Sequence, residues 1–400
     1  MIQELCPNGV EYKKLGEIAT ISRGGNLQKK DFRTEGVPCI HYGQIYTRYG
    51  LFADKTFTFI SEDCAKKQKM AYTNDIVMAV TSENIEDVCK CVAWLGENAI
   101  AVSGHTAIIH HNQNAKYLTY YFHTETFAAQ KRKLVHGTKV MEVTPDTLNV
   151  VTLPVPPLPV QDEIVRILDN FTELTAELTA ELTARKKQYE YYRNKLLTFE
   201  NDISVKALGD VCDVMTGGTP SKKNKNYWTA GTIKWLGSTV CKNQKTVDEV
   251  TDYITEKGLA ESSAKLMKKG TTLIALVGAT IGKIAFLPFE AAINQNIAGI
   301  YPKDERILDP SYVYYACTTL YPKFLALTQG TKLSMANMAF VRSLQIPVPP
   351  IEIQSKIVNV LDNFDTICSD LNIGLPAEIE ARQKQYEYYR DKLLSFSEIL

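Results

Sequence analysis

The sequence lacks an excess of charge of either sign. Lys and Arg number 45, and Asp and Glu also number 45, so the formal net charge is zero. The composition therefore gives no overall field that would indicate a nucleic acid or a membrane as partner. Local clusters of lysine can still neutralise phosphates, which leaves DNA binding open. The length of 400 residues predicts roughly two or three domains.

Paired cysteines and long apolar runs are also missing. The nine cysteines are scattered without a Cys-x-x-Cys motif, which favours a reduced chain without a zinc site. The longest apolar stretch, residues 271–282, has the length of a buried strand rather than of a membrane span. The start of the chain lacks the basic residues and apolar core of a signal peptide. We therefore expect a cytoplasmic chain that binds no metal and does not enter a membrane.

Motifs for catalysis are absent as well. Residues 278–283 resemble a phosphate loop, but one residue is missing between the glycines, and Ile284 replaces the hydroxyl that would bind magnesium. Both Pro-Pro pairs follow Val, whereas an adenine methyltransferase would need Asp or Asn there. Neither the carboxylate cluster of a nuclease nor an ordered hydrolase triad stands out. The chain is therefore expected to bind rather than to catalyse.

The most informative feature is an internal repeat with an offset of 193 residues. The recurring words are Gly-Thr-Lys at 137–139 and 330–332, Pro-Val-Pro-Pro at 154–157 and 347–350, and Leu-Asp-Asn-Phe at 168–171 and 361–364. Beyond them, residues 184–199 and 381–396 agree at thirteen of sixteen positions. A period of this length indicates a duplicated unit, in which a divergent head is followed by a nearly identical helix.

Each copy ends in a helical segment with an apolar seam at a spacing of about 3.5 residues. The seam residues are Leu168, Phe171, Leu178, Leu182, Tyr189 and Tyr192 in the first copy, and Leu361, Phe364, Tyr386 and Tyr389 in the second. Gly374-Leu375-Pro376 interrupts the second segment, where we expect a break or kink. Internal coiled-coil packing explains both seams. Two matching seams in one chain also favour an antiparallel pair of long helices that holds the two heads apart.

A tandem tetrapeptide lies inside the first helical segment. Thr-Ala-Glu-Leu occupies residues 175–178 and again 179–182. Four helical residues advance the helix by about 6 Å and rotate it slightly more than one turn, so the two leucines stay on nearly the same stripe. A copy could therefore be added or lost without destroying the seam.

The heads have the pattern of mixed sheet with short helices. Residues 75–80 and 272–277 are apolar runs typical of buried strands, and helices are predicted over 117–127 and 310–324, each with a Tyr-Tyr pair in the core. We expect an α/β (α+β) fold with an internal pseudo-two-fold repeat. Its predicted domains are residues 1–153 and 200–346 for the heads, and 154–199 and 347–400 for the helical spacers.

Polar loops that carry lysines stand at matched positions in the two heads. Lysines and hydroxyls suit phosphates, amides suit adenine, and glycines permit a close backbone approach. The candidate DNA contacts are Ser22, Arg23, Asn26, Gln28, Lys29 and Lys30 in the first head, and Thr216, Thr219, Ser221, Lys222, Lys223, Asn224 and Lys225 in the second. The Gly-Thr-Lys turns add Thr138, Lys139, Thr331, Lys332 and Ser334. A solvated turn is the alternative for the loops, and a helix-terminus turn for Gly-Thr-Lys.

The order of these words resembles the specificity subunit of bacterial type I restriction-modification enzymes. The repeated Pro-Val-Pro-Pro, Leu-Asp-Asn-Phe and Gln-Tyr-Glu-Tyr-Tyr-Arg-(Asn/Asp)-Lys-Leu-Leu carry the resemblance, which covers the whole chain but matches the heads only in outline. It implies that each head is a target-recognition domain reading one half of a split, asymmetric site in double-stranded DNA. It also implies that the helices set the spacer and dock two methyltransferase subunits, so that the seam residues above become docking and spacer residues.

The same resemblance implies that the chain is not an enzyme by itself and holds no cofactor. S-adenosylmethionine, ATP and Mg are expected on the partners, which are the methyltransferase subunits and, in the full complex, motor-nuclease subunits. Three alternatives stay open. They are a specificity chain of another restriction-modification arrangement, a single-chain DNA enzyme, and a coiled-coil scaffold that never touches DNA. The scaffold explains the helices but not two divergent heads with matched polar loops.

Overall fold

The computed structural model of the chain describes residues 6–199, 203–247, 249–328, 335–369 and 373–398. The chain divides into two compact units, each of which combines one head with parts of the helical segments. The first unit comprises Met1–Glu177 and Glu380–Leu400, and the second comprises Leu178–Ile379.

The head of the first unit is built from short strands and short helices. The strands are β1 (Tyr12–Lys14), β2 (Ala19–Arg23), β3 (Val37–Ile40), β4 (Phe52–Ala53), β5 (Thr58–Ile60), β6 (Lys69–Ala71), β7 (Ile76–Ala79), β8 (Thr81–Ser82), β9 (Cys91–Trp94), β10 (Ile100–Val102), β11 (Thr106–His111), β12 (Met141–Glu142) and β13 (Thr152–Pro154). The helices are α1 (Leu15–Ile18), α2 (Tyr42–Thr47), α3 (Glu62–Ala65), α4 (Ala115–Tyr121), α5 (Glu125–Leu134) and α6 (Pro145–Leu148). The strand orders are β2-β11-β7-β9-β4, β5-β3-β10-β6, β1-β13 and β12-β8.

The helix α7 (Leu158–Leu196) follows this head, and the boundary between the two units falls inside it, after Glu177. Its 39 residues confirm the long helix predicted for the first spacer. Pro159 lies in its first turn, where a missing N–H costs no hydrogen bond.

The head of the second unit repeats the same plan. Its strands are β14 (Val205–Ala207), β15 (Cys212–Thr216), β16 (Ile233–Leu236), β17 (Asp252–Ile254), β18 (Lys265–Met267), β19 (Thr272–Ala275), β20 (Ile284–Phe286), β21 (Ala291–Ile293), β22 (Ile297–Pro302) and β23 (Gln345–Pro347). Its helices are α8 (Leu208–Val211), α9 (Glu256–Ala260), α10 (Pro310–Thr318), α11 (Tyr321–Thr328) and α12 (Met338–Ser343). The strand orders are β15-β22-β19-β20, β17-β16-β21-β18 and β14-β23.

The duplication extends to the sheet topology. In each head one four-stranded sheet contains a single parallel pair at its centre, β3 with β10 in the first and β16 with β21 in the second. The remaining pairs of these two sheets are antiparallel. The two heads therefore share a fold even though their sequences match only in scattered words.

The second long helix predicted for residues 347–400 is not confirmed. The structure has two helices of 19 residues each, α13 (Ile351–Ser369) and α14 (Leu375–Leu393). The second of these helices begins at Leu375, at the predicted break, because Pro376 fits the first turn of a new helix but not the interior of a continuous one. The C-terminal spacer is thus built from two helices instead of one.

The helices predicted over 117–127 and 310–324 are also shorter than expected. Each of these regions contains two helices, α4 followed by α5 and α10 followed by α11. Between α4 and α5, the Thr124 side chain accepts a hydrogen bond from the N–H of Phe127 and so begins a new helix. The predicted core role of the tyrosine pairs is confirmed, since Tyr120, Tyr121, Tyr314 and Tyr315 are all buried.

Candidate nucleic-acid interface

Two glycines hold the first polar loop close to its own sheet. The N–H groups of Gly24 and Gly25 donate to the carbonyl oxygens of Thr106 and Val102. A Cβ on Gly24 would lie 2.0 Å from the carbonyl oxygen of Ser103. The close approach that these glycines permit is therefore to the protein's own backbone.

The rest of this loop is exposed and polar. Asn26, Gln28, Lys29 and Lys30 are all exposed, and residues 29–31 form one 3-10 turn. Asn26, Gln28 and Lys30 line a shallow depression of about 410 Å³ together with residues of the helix α3 region, which include Lys67 and Gln68. Sequence reasoning missed this second contributor, although the basic run 66–69 (Lys-Lys-Gln-Lys) was a visible signal.

Arg23 connects this loop to the Gly-Thr-Lys turn. Its guanidinium donates to the carbonyl oxygen of Gly104 at 2.8 Å and to the carboxylate of Glu142 at 3.2 Å. Backbone hydrogen bonds between His136 and Glu142 make residues 137–141 the connection of a hairpin, in which Thr138 and Lys139 are exposed. The turn is thus a hairpin tip rather than a helix terminus.

Two neighbouring segments complete this face of the first head. Strand β12 pairs with β8, which places Met141 opposite Ser82 at the start of Ser82-Glu83-Asn84.

Ser22 differs from the other candidate DNA contacts of the first head, since it lies half-buried within β2 opposite Ile108.

The polar loop of the second head is braced by Gln295. The Thr216 hydroxyl donates to the carbonyl oxygen of Gln295 at 3.1 Å, and the Thr219 hydroxyl donates to the side-chain Oε1 of Gln295 at 2.8 Å. A Cβ on Gly217 would lie 1.8 Å from the carbonyl oxygen of Ile293, so this glycine also serves packing.

Two tryptophans stiffen the remainder of this loop. The Trp228 indole N–H donates to the carbonyl oxygen of Ser221, and the Trp235 indole N–H donates to that of Gly218. The two indole rings meet edge to face, with centroids 5.4 Å apart. The loop is therefore a preformed surface rather than a loose turn.

The lysines of the second loop point into solvent. Lys222, Lys223 and Lys225 are exposed, and Lys222 Nζ lies 5.3 Å from the Trp228 ring centroid. Asn224 has a different task, because its Oδ1 accepts from the N–H of Asn226 and caps the turn at 225–227. This cap uses one of the two lone pairs of Oδ1, so the amide N–H₂ and the second lone pair are left for readout of adenine.

Thr331, Lys332 and Ser334 lie outside the described residues. Met335, the next residue in the sequence, forms an antiparallel bridge with Val277, and the N–H of Ala336 donates to the carbonyl oxygen of Leu276. The N–H of Leu276 in turn donates to the carbonyl oxygen of Asn296, next to Gln295. In each head, the polar loop and the chain next to Gly-Thr-Lys therefore adjoin the same end of the sheet.

Most of the predicted seam residues are buried or half-buried, whereas Tyr192 and Tyr389 each remain 37% exposed. In the first unit Phe171 stacks on Tyr389, with centroids 5.5 Å apart and an interplanar angle of 21°. In the second unit Tyr192 stacks on Phe364 at 5.7 Å and 26°. Leu168 and Leu361 are fully buried, Leu178 and Leu182 are half-buried, and burial raises the pKa of Tyr386 to about 12. The seams are thus used for internal packing.

A different pair of tyrosines on these helices is exposed. Tyr191 and Tyr388 are each 60% exposed, and each meets the following tyrosine edge to face at 5.3 Å and 76°. Lys195 Nζ lies 5.9 Å from the Tyr191 ring, and Lys392 Nζ lies 5.6 Å from the Tyr388 ring. Helical spacing already separates these two tyrosines from the seam, so the sequence contained the signal.

The described residues contain no group of three or more His, Cys, Asp or Glu side chains arranged to hold a metal ion. No helix in the described ranges is long and apolar enough to cross a membrane.

The fold and the polar loops together define the class of protein. It is a duplicated recognition chain, whose two heads share one topology and present different lysine-bearing loops. The family described as type I restriction modification DNA specificity domain matches this chain twice, over residues 7–185 and 200–381. The chain therefore belongs to this family.

Individual relatives agree with this assignment. The specificity subunit of the Escherichia coli type I restriction enzymes EcoR124I and EcoR124II is 42% identical over 245 residues, which is 60% of this chain and 60% of that protein. A type I specificity subunit of Haemophilus influenzae is 31% identical over 97% of this chain and 96% of its own length. The crystal structure of a type I specificity subunit from M. genitalium has the same fold, with a TM-score of 0.55 at 14% identity, covering 96% of each chain.

The packing of Gly217 predicts a loss of stability on substitution. Gly217→Ala places a methyl group against the Ile293 carbonyl, and overpacking of this kind costs about 1–3 kcal/mol of unfolding free energy. The matched control is Gly50→Ala, where a Cβ would meet no atom within 4 Å. Thermal unfolding should show a lower Tm for Gly217→Ala alone, and equal Tm values would contradict the packing role.

Proposed function

We propose that each head reads one half of a bipartite, asymmetric site in double-stranded DNA. The observation that carries this proposal is that both heads present a polar loop at the same place in the fold, held to the sheet by paired glycines, with different side chains on its surface. Lysines and hydroxyls at such a surface contact phosphates, while amides and the neighbouring turn reach base edges. Two heads with one fold and two different surfaces suit two different half-sites.

The chain is a recognition subunit, and the chemistry belongs to its partners. We infer that two methyltransferase subunits bind S-adenosylmethionine and methylate adenine. Motor-nuclease subunits that use ATP and Mg join them in the full complex, and the assembly works in the cytoplasm. A coiled-coil scaffold without a DNA partner would not need two braced, lysine-bearing loops.

The exposed tyrosine faces are the surfaces that we assign to the two methyltransferase subunits. The seam residues pack against one another within each unit and leave Tyr192 and Tyr389 37% exposed, whereas Tyr191 and Tyr388 are 60% exposed, in the same local sequence and with the same neighbouring contacts. Tyrosine is among the residues that are enriched at protein interfaces and that contribute most to binding. Two equivalent faces in one chain suit two copies of one partner.

The tandem tetrapeptide is the element that we assign to spacer length. Its leucines, Leu178 and Leu182, are half-buried, while Glu177, Ala180 and Glu181 are exposed. A further copy would extend the helix by about 6 Å and rotate it by about 40° beyond one turn, close to the rotation of about one base pair.

DNA contact by the second loop predicts a change in salt dependence. In the assembled complex, Lys222→Ala with Lys223→Ala should reduce the slope of log K against log salt by up to about 1.8, since each lost phosphate contact removes about 0.9. Lys268→Ala with Lys269→Ala is the matched control, because this exposed pair precedes β19 at the opposite end of the sheet. Equal slopes for the two variants would contradict the contact.

The docking assignment predicts a change in stoichiometry. Tyr191→Ala or Tyr388→Ala alone should leave a complex with one methyltransferase subunit, and the double variant should bind neither tightly, because a central interface tyrosine contributes more than about 1 kcal/mol. Native mass spectrometry at limiting concentration measures this. Tyr72→Ala, at a tyrosine that is 57% exposed in the first head, is the control. Two bound subunits in the double variant would refute the assignment.

The spacer assignment predicts a new target site. Insertion of one Thr-Ala-Glu-Leu after Leu182 should lengthen the preferred spacer by about one base pair while both half-sites stay the same. Insertion of a single alanine is the control, since it rotates the following seam by about 100° and should abolish activity. Methylation of a library of duplexes with varied spacers measures the preferred spacer of both variants. An unchanged preferred spacer after insertion of the tetrapeptide would rule out the tetrapeptide as the element that sets spacer length.

A further inference from the structure

The aspartate of each Leu-Asp-Asn-Phe word joins its helix to a head. In the first unit, Lys116 Nζ lies 2.6 Å from Asp169 Oδ2, and the Tyr120 hydroxyl donates to Asp169 Oδ1 at 2.7 Å. Both donors belong to α4 of the head, whereas Asp169 belongs to α7. One carboxylate of the helix thus receives an ammonium and a phenol from the head.

The second unit makes the same connection from different parts of the chain. Asp362 accepts hydrogen bonds from the Tyr315 hydroxyl and from Lys245. Counted from the caps of the two head helices, Asn114 and Asp309, Tyr315 takes the position of Tyr120, but the position of Lys116 is taken by Ser311. The lysine of the second unit, Lys245, comes instead from the loop that precedes β17, about seventy residues before Tyr315 in the chain. Each head therefore supplies an ammonium and a phenol to the equivalent carboxylate of its own helix, but the two ammonium groups come from different parts of the head.

The lysines are held at these sites by aromatic rings. Lys116 Nζ lies 4.7 Å from the Phe52 ring centroid, and Lys245 Nζ lies 4.8 Å from that of Tyr315. The side chain of Lys245 is only 14% exposed. Asp169 and Asp362 are 33% and 43% exposed, and partly exposed ion pairs of this kind add little to stability. The hydrogen bonds of these two carboxylates are directional, however, and can fix the orientation of the head relative to its helix.

A second anchor lies two turns earlier on each helix. Gln161 and Gln354 are fully buried, and each accepts a hydrogen bond from the N–H of the residue that caps the head helix, Asn114 at 3.0 Å and Asp309 at 2.8 Å. The eight residues from glutamine to aspartate span about 12 Å of helix. Polar attachment at two separated points fixes the direction of a head helix, whereas with the glutamine alone that direction would depend on the apolar packing around Leu168 and Leu361.

We propose that Asp169 and Asp362 are positioning residues that fix the angle of each head on its helix, and that the spacer selectivity of the complex depends on them. The proposal rests on the proposed reading of a bipartite site. A head that pivots about the glutamine anchor keeps its DNA-contacting loop intact, but it no longer presents that loop at one fixed distance from the other half-site.

The test uses the full chain assembled with its methyltransferase subunits. Asp169→Asn and Asp362→Asn preserve shape and remove the charge, while Tyr120→Phe and Tyr315→Phe remove only the hydroxyl. Two quantities are measured: affinity for duplexes that carry a single half-site, and the ratio of methylation at the preferred spacer to that at spacers one base pair shorter or longer. Asp304→Asn is the control, since it removes an exposed ion pair with Arg306 within the second head.

We expect single half-site affinity to stay within twofold of the unaltered chain and the spacer ratio to fall by about tenfold, the effect of losing a hydrogen bond to a charged group. The control should change neither quantity. An unchanged spacer ratio would overturn the proposal. A parallel fall of half-site affinity and of methylation at every spacer would also overturn it, because that result would indicate that the aspartates only stabilise the folded protein. If the aspartate variants fail to fold, the tyrosine variants decide by the same criteria.

The same experiment separates this proposal from the function on which it rests. If the unaltered complex shows no preference for one spacer, the bipartite reading itself fails. If the unaltered complex has a sharp preference and the four variants keep it, only the positioning role fails.

Discussion

The aromatic seam has to be covered, and the rest of the structure depends on this requirement. Most of the stability of a helix in a protein comes from burial of its apolar face rather than from helix propensity. Tyr389 stacks on Phe171 and covers it, and Tyr192 does the same for Phe364. Each unit must therefore combine helical segments that are distant in sequence, which is why residues 380–400 belong with the first head.

The repeat separates what must stay the same from what can differ. The helix words recur almost unchanged because the same contacts are made in both units: an inner tyrosine in the core, one stacked on phenylalanine, and one exposed to solvent. In the heads, the recurring residues include Tyr117 and Tyr312, whose hydroxyls both donate to the carbonyl oxygen of the first proline of Pro-Val-Pro-Pro, where the chain leaves the head. The loops share glycines and polar character, and their individual side chains are free to determine a sequence preference.

Features with a period or a repeat could be predicted from sequence. The length of the duplication, the seam of α7 and the interruption near Gly374 each follow from spacing or from a proline, and all three are present in the structure. The division of residues 310–324 into two helices depends on local capping and turns, which the apolar pattern does not carry. The family resemblance supplied the function, since nothing in the composition indicates DNA.

Contacts between distant residues could not be predicted. Arg23 meets Glu142 across 119 positions of sequence, and Lys245 meets Asp362 across 117. Neither pair leaves a periodic signal, because pairing of this kind is decided by the fold. For the same reason the two lysines that serve Asp169 and Asp362 are recognisable as equivalent only in three dimensions.

The most direct test of the account is a map of adenine methylation across a genome by long-read sequencing. The cognate methyltransferase subunit is expressed with and without this chain, and assembly of the complex is verified. The account predicts a split motif, two short half-sites separated by a fixed spacer, that is methylated only when the chain is present. Methylation of the same sites without the chain, or the lack of any split motif in an assembled and active complex, would contradict it.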